Sequence, residues 1–170
     1  MNTLILAIGN TLLQDEGVGN HLLQRLIKEK PHWPVTYLDG GTLSFSIAKD
    51  IEQASHLIIL DAANLKQQAG SIQVIVDDDL DSFLNKPGKS VHEVSLGDLF
   101  DMTRLTETLP EHRAMIAIQP KNIDWGEQLS AEVEQALDIA IDKIEEILLN
   151  WQVLPQTNPN RTISELSNVL

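Results

Sequence analysis

Short apolar runs alternate along the chain with longer segments in which apolar residues recur every three or four positions. The longer segments predict helices over residues 17–30, 44–54 and 96–105, and a last long helix whose apolar stripe runs from Val133 to Trp151 after Ser130 as its N-cap. Alternating strands and helices of this kind are typical of an α/β fold with a mostly parallel central sheet between helices. The short runs predict strands at residues 3–8, 35–38, 57–60, 71–76 and 115–118.

Two segments lack either periodicity. The acidic residues 77–79 and the sequence Asn-Lys-Pro-Gly at 85–88 predict a surface loop within 77–91. After Pro155 the composition becomes polar, which predicts a weakly ordered tail over 152–170, with a short docking helix over 163–170 as the alternative. We therefore expect a single domain over residues 1–151, followed by that tail.

Composition narrows the class of protein. The 12 Lys and Arg residues stand against 25 Asp and Glu residues, a net charge of −13, which disfavours nucleic acid and anionic membranes as partners. The absence of cysteine excludes a thiol nucleophile, a cysteine-ligated zinc site and an iron–sulfur cluster. No apolar run approaches the length of a membrane span, and the first residues lack the basic region of a signal peptide, so we expect a cytoplasmic protein.

Acidic residues follow each of the first three predicted strands. Asp15 and Glu16 lie in the glycine-rich segment 9–19, Asp39 begins the sequence Asp-Gly-Gly-Thr, and Asp61 directly follows the third strand. Parallel sheets place their sites outside the carboxyl ends of the strands. The three loops should therefore share one edge of the sheet, which we call the rim.

Each of these acids also has a structural interpretation. Asp15 and Glu16 could be ordinary acids at a helix N-terminus, Asp39 could order an Asx turn, and Asp61 could cap the next turn. A dinucleotide site is disfavoured, because the G-x-G-x-x-G pattern is absent and two carboxylates would repel a pyrophosphate. His92 lies in a loop that leads into a helix, where a lone histidine is usually an ordinary surface residue.

Together, Glu16, Asp61 and His92 would offer two oxygens and one nitrogen to a divalent ion such as Ni²⁺ or Zn²⁺. The strand-end rule brings only Glu16 and Asp61 together, and the spacing does not place His92. The other histidines, at 21, 32, 56 and 112, have no comparable partners and are expected to be structural or solvent-exposed.

Over residues 1–150 the chain resembles the [NiFe]-hydrogenase maturation endopeptidases, which trim the C-terminus of the hydrogenase large-subunit precursor. The first matching motif is long and specific, and the matches occur in order along the chain. The matching stretches are Ile-Gly-Asn-Thr-Leu-Leu-Gln-Asp-Glu-Gly-Val-Gly (8–19), Asp-Gly-Gly-Thr (39–42), Asp-Ala (61–62), His-Glu-Val-Ser-Leu (92–96), Ile-Ala-Ile-Gln-Pro (116–120) and the Leu-Ser entry (129–130) to the last helix.

The resemblance implies a three-layer α/β fold with a twisted, mostly parallel sheet of the phosphorylase/hydrolase-like type. It implies that Glu16, Asp61 and His92 bind metal. It also implies that Asp39, with Gly40, Gly41 and Thr42, lies beside the site in substrate recognition or catalysis. Hydrolysis could be assisted by the metal, or Asp15, Asp39 or Asp61 could activate water as a general base, and the motif does not decide between them.

The function implied is an endopeptidase that removes the C-terminal extension of the nickel-loaded large-subunit precursor. The nickel would belong to the substrate, and the site could accept Zn²⁺ or Cd²⁺ in isolation. Family members commonly act as monomers. Three alternatives remain: a non-catalytic nickel-dependent chaperone or checkpoint for the large subunit, a related protease with another target such as a spore protein, and a nucleotide-binding domain.

Overall fold

The structure is a computed structural model that describes residues 2–42, 45–85 and 95–156. The strands are β1 (Thr3–Ala7), β2 (Thr36–Asp39), β3 (His56–Ala62), β4 (Ile72–Val76) and β5 (His112–Ile118). The helices are α1 (Val18–Glu29), α2 (Ala48–Glu52), α3 (Asp77–Leu84), α4 (Leu96–Leu105) and α5 (Ala131–Asn150), and short 3-10 turns occupy Gln14–Gly17 and Phe45–Ile47.

The five strands form one sheet in the order β2-β1-β3-β5-β4. Neighbouring strands are parallel except β4, which pairs antiparallel with β5 at one edge. The sheet confirms the α/β class that alternating strands and helices predict. It also places the carboxyl ends of β1, β2 and β3 side by side at one edge.

Helices cover both faces of the sheet, so the central strands are buried on both sides. On one face, α1 and α5 contribute Leu22, Leu26, Leu137 and Ile144 to a core with alternate strand residues such as Ile58. The second core, on the other face, is lined by Ile51 of α2, Leu80 of α3, and Leu99 and Phe100 of α4, together with strand residues such as Ile59. Burial on both faces explains why these strands are continuous apolar runs rather than alternating ones.

The acidic residues at 77–79 were predicted to lie in a surface loop, and that prediction is wrong. They form the first turn of α3, where the positive end of the helix dipole favours acidic side chains. Leu80 is fully buried in the second core, and Asp81 makes a 2.6 Å ion pair with Arg113 of β5. Tertiary packing and this ion pair therefore make the segment helical.

Several sequence predictions fall outside the described residues. The rest of the predicted 77–91 loop from residue 86 onward, His92, and residues 157–170 of the predicted tail are among them. The boundary at residue 151 also stays a prediction. Among the helices of the described residues, none combines the length and apolar character that a bilayer crossing requires.

Candidate functional site at the carboxyl edge of the sheet

Backbone hydrogen bonds beyond the strand ends hold the three strand-exit loops together. The N–H of Gly40 donates to the carbonyl of Ala7 at 2.8 Å, and the N–H of Gly9 donates to the carbonyl of Gly41 at 3.0 Å. On the other side of β1, the N–H of Ile8 donates to the carbonyl of Leu60 at 2.9 Å. The first and second loops are therefore joined directly, and the third strand is fixed beside them.

Two glycines allow the first loop to pack closely against α1 and β3. Gly9 has a φ of +142°, and a Cβ there would lie 2.1 Å from the carbonyl oxygen of Glu16. A Cβ on Gly19, in the first turn of α1, would lie 2.3 Å from the carbonyl oxygen of Leu60. Glycine is required where backbone approaches backbone this closely. This packing sets Glu16 near the carboxyl end of β3, where Asp61 lies.

Asp61 is half-buried near the end of β3, which extends two residues further than its apolar run because Asp61 and Ala62 pair with β5. Withdrawal from water raises the pKa of Asp61 to about 8; a hydrogen bond from the N–H of Ala62 opposes this rise, and the nearby charge of Glu16 adds to it. The strand-end rule therefore brings Glu16 and Asp61 together correctly. A cation beside Asp61 would favour its ionised form.

Asp39, at the end of β2, is exposed, but one of its oxygens is held firmly. Its Oδ1 accepts a 2.6 Å hydrogen bond from Nδ2 of Asn20 and a 2.9 Å hydrogen bond from the N–H of Gly41. The bond to Gly41 is the Asx turn that the sequence suggested as an alternative. Thr42 follows at an exposed position. Sequence reasoning missed Asn20, because nothing in its spacing distinguishes it from other polar residues of α1.

Asp15 is fully buried, and it binds the segment that leads into α5. Its Oδ1 accepts a hydrogen bond from the N–H of Ser130 at 2.7 Å. Its Oδ2 accepts from the N–H groups of Lys121 and Asn122, each at 2.9 Å, and from Oγ of Ser130 at 2.8 Å. Burial alone would raise the pKa of Asp15, but these hydrogen bonds outweigh it and leave the pKa below its ordinary value.

A carboxylate with four donors is already saturated. The geometry of Asp15 therefore favours a structural role, and its predicted catalytic role stays a prediction. Ser130 occupies the N-cap position of α5 as predicted, but it makes no side-chain cap and donates its hydroxyl to Asp15 instead.

The segment that Asp15 binds also pairs with the first loop through its backbone. The N–H of Gln14 donates to the carbonyl of Gly126 at 2.7 Å, and the N–H of Gly126 donates to the carbonyl of Leu12 at 2.9 Å. Three large apolar side chains in these paired segments are exposed: Leu12 by 48%, Ile123 by 58% and Trp125 by 78%. Exposed apolar side chains on adjoining segments can mark a surface that contacts another molecule.

Two of the three predicted metal ligands, Glu16 and Asp61, lie among the described residues. Within residues 2–42, 45–85 and 95–156, no group of three or more His, Cys, Asp or Glu side chains is arranged to hold a metal ion. His92 lies outside those residues, so its place beside Glu16 and Asp61 stays a prediction.

The fold and the rim define an α/β protein whose candidate site is built from carboxylates where parallel strands end. The family model described as hydrogenase maturation protease matches residues 18–147. The chain belongs to the hydrogenase maturation protease family.

Similar proteins support this assignment over most of the chain. The hydrogenase expression/formation protein HupM of Azotobacter chroococcum mcd 1 is 32% identical over 147 residues, which cover 82% of this chain and 70% of HupM. The hydrogenase 2 maturation protease of Escherichia coli (strain K12) is 30% identical over 148 residues, covering 85% of this chain and 88% of that protein. The solved structure of the E. coli hydrogenase-maturating endopeptidase HybD matches with a TM-score of 0.80 at 26% identity, over 89% of this chain and 94% of that one.

Proposed function

We propose that this protein is an endopeptidase that removes the C-terminal extension of a nickel-loaded [NiFe]-hydrogenase large-subunit precursor. The observation that carries the proposal is the rim, where Glu16 lies near Asp61 and Asp39 is held at the neighbouring strand exit. Membership of the hydrogenase maturation protease family supports it. We include in the proposal that the protein acts in the cytoplasm as a monomer.

In this proposal the nickel is part of the substrate. The chain has no cysteine, so any thiolate ligands must come from the precursor. Glu16 and Asp61, with His92, would add oxygen and nitrogen ligands, a donor set that suits Ni²⁺ and also Zn²⁺ or Cd²⁺. A precursor without nickel would lack this contact and would bind less tightly.

For the hydrolytic step we assign the general base to Asp39. Among the described residues no hydrogen bond reaches its Oδ2, while Oδ1 is occupied. Oδ2 would take a proton from a water molecule as the water oxygen attacks the scissile carbonyl carbon. The C–N bond breaks as Oδ2 of Asp39 gives this proton to the leaving amine nitrogen, which restores the carboxylate. Substrate-borne nickel would contribute Lewis-acid polarisation if hydrolysis is metal-assisted.

Asp39 and Asp61 have separate roles in this scheme. β1 lies between β2 and β3, so the backbones of these two residues are two strand spacings apart, about 10 Å. The two carboxylates thus leave the sheet from separate strands, and it is Asp61 that has the charge of Glu16 nearby. We therefore assign Asp61 to metal binding beside Glu16, and Asp15 to holding the first loop against the entry of α5.

The exposed apolar side chains of Leu12, Ile123 and Trp125 support a macromolecular substrate. They lie in the segments joined by the Gly126 hydrogen bonds, next to the turn that carries Glu16. Exposed apolar side chains beside a site suit contact with a protein chain.

The decisive experiment incubates the purified protein with purified precursor, with and without nickel. We expect a nickel-dependent loss of mass from the precursor equal to its C-terminal peptide. Co-elution of the two proteins without any loss of mass would instead indicate a chaperone or checkpoint. Cleavage at the same rate in the absence of nickel would contradict recognition through the metal.

A further inference from the structure

Asn20 is a buried polar side chain whose placement packing alone does not explain. It lies in the first turn of α1, is 5% exposed, and follows the buried residues Val18 and Gly19. Its Nδ2 donates to Asp39, but its Oδ1 has no hydrogen-bond partner among the described residues. A buried carbonyl oxygen without a partner is destabilising, so an apolar residue would suit this position better on stability grounds.

The contact with Asp39 fixes the orientation of the amide. At 2.6 Å from a carboxylate oxygen, the side chain of Asn20 must present its NH₂ group. The flipped amide would bring two acceptor oxygens together, which an ionised carboxylate does not tolerate. The unpartnered oxygen of Asn20 is therefore the consequence of directing its donor at Asp39.

The two hydrogen bonds to Asp39 come from different kinds of structure. The N–H of Gly41 lies two residues beyond Asp39 in the same strand exit, so its hydrogen bond closes the Asx turn. Asn20 belongs to α1, which Gly19 packs against β3. Asn20 thus ties the Asp39 side chain to the rigid part of the rim.

We propose that Asn20 is a positioning residue that holds Oδ1 of Asp39 and so directs Oδ2 toward the substrate. The inference rests on the proposed function, because it assigns Asn20 to the same reaction. Asn20 itself does not touch the substrate and acts only through Asp39. A side chain that rotates freely would offer the reactive oxygen for only part of the time, and alignment of a reacting group strongly affects rate.

The test is a double-mutant cycle on the processing of nickel-loaded precursor. Asn20→Leu removes the donor and keeps the number and branching of the side-chain heavy atoms. We expect it to lower kcat about tenfold, the size associated with losing a hydrogen bond to a charged group, with KM changed less than about twofold. In the Asp39→Asn background, Asn20→Leu should lower kcat by no more than about twofold further, because the residue it positions has already been replaced.

Two further variants separate positioning from stability. Asn20→Ser is smaller and too short to reach Asp39, so it should reproduce the loss in kcat even if Asn20→Leu folds poorly. Leu26→Ala, on the same helix but in the α1–α5 core, is the control that lowers stability without touching Asp39. Its kcat per folded molecule should stay within about twofold of wild type. Equal losses in all three variants, or additive losses in the cycle, would overturn the proposal.

A second readout does not depend on activity. The side-chain amide proton of Asn20, hydrogen-bonded to a carboxylate, should resonate downfield in a ¹H–¹⁵N NMR spectrum and shift upfield in Asp39→Ala. An unchanged signal would refute the contact. If wild-type protein does not cleave the precursor but this signal shifts, the proposed function fails while the positioning contact stands. If wild-type protein cleaves normally and the Asn20 variants match it, only the inference about Asn20 fails.

Discussion

Asp15 and Ser130 are joined twice, although 115 residues separate them in the sequence. The backbone N–H of Ser130 donates to Oδ1 of Asp15, and the Ser130 hydroxyl donates to Oδ2. Asp15 therefore binds the N-cap residue of α5 itself, and the Ser130 hydroxyl is used for this contact rather than for capping the first turn of the helix. The two segments on either side of the rim are thereby fixed to each other.

Replacement of Asp15 with asparagine should destabilise the fold. The new NH₂ group would face backbone N–H donors, and buried donors would be left without an acceptor. We expect the free energy of unfolding to fall by about 3 kcal/mol, measured by urea denaturation. Asp142→Asn, at an exposed position of α5, is the matched control and should change stability by less than about 0.5 kcal/mol. Equal stability of the two variants would contradict this account of Asp15.

The ion pair between Asp81 and Arg113 joins α3 to β5, and both side chains are largely shielded from solvent. Their side chains are only 18% and 10% exposed, and the closest contact, from Nη2 to Oδ2, is 2.6 Å. Burial would raise the pKa of Asp81, but the hydrogen bond and charge of Arg113, helped by Arg104, outweigh it and lower the pKa. Asp81→Asn should therefore cost about 3 kcal/mol at pH 7, because it removes the closest carboxylate from a buried arginine.

The same pair gives a pH dependence with a definite sign. The folded-state pKa of Asp81 lies below its unfolded value of about 3.9. The contribution of the ion pair to folding stability is therefore fully present above about pH 5 and is lost as the pH falls through the folded-state pKa. The stability difference between wild type and Asp81→Asn should shrink accordingly in urea melts below pH 4. The side chain of Asp78 is fully exposed and lies 3.6 Å from Arg113, so Asp78→Asn should have nearly the same stability as wild type at any pH.

The position of Gly19 can be tested against another helical glycine. A methyl group at Gly19 would lie 2.3 Å from the carbonyl of Leu60 and 2.7 Å from that of Ile8, so Gly19→Ala must move α1 away from the sheet. We expect a loss of about 2–3 kcal/mol and a fall in processing activity. At Gly97 in α4 the nearest atom would be 3.5 Å away, so Gly97→Ala should be neutral or stabilising by up to about 1 kcal/mol. A neutral Gly19→Ala would show that the contact is not tight.

The strands, the main helices and the rim follow from the sequence because each rests on a local pattern. The buried runs are apolar because both sheet faces are covered, and the acids stand where those runs end. The proximity of Glu16 and Asp61 then follows from the geometry of a parallel sheet.

The helix α3 and the contact of Asn20 with Asp39 could not be predicted in the same way. The α3 segment is helical because Leu80 packs into the second core and Asp81 pairs with Arg113, which lies 32 residues further along. The saturation of Asp15 likewise depends on donors more than 100 residues away. Contacts over such distances leave no periodic trace in a single sequence.

Metal binding by the isolated protein is a separate prediction. Titration with Ni²⁺, Zn²⁺ or Cd²⁺ should show one site that Glu16→Gln and His92→Ala each weaken by at least about tenfold. Glu127→Gln is the control, since Glu127 is an exposed acid outside the predicted set. Crystals grown with any of these ions should show it on Glu16, Asp61 and His92. An ion bound elsewhere, with these three side chains unliganded, would contradict the assigned set.

Asp39 and Asp61 have different proposed roles, so replacing each of them should have a different effect. Asp39→Asn should lower kcat for precursor processing by about 100-fold or more, because an amide does not accept the proton of water, while metal binding stays unchanged. Asp61→Asn should lower both processing and metal affinity, since it removes one of the paired carboxylates. Asp50→Asn, on the exposed side of α2, is the control and should process the precursor at the wild-type rate. Unaltered processing by both Asp39→Asn and Asp61→Asn would show that the rim carboxylates do not carry the reaction.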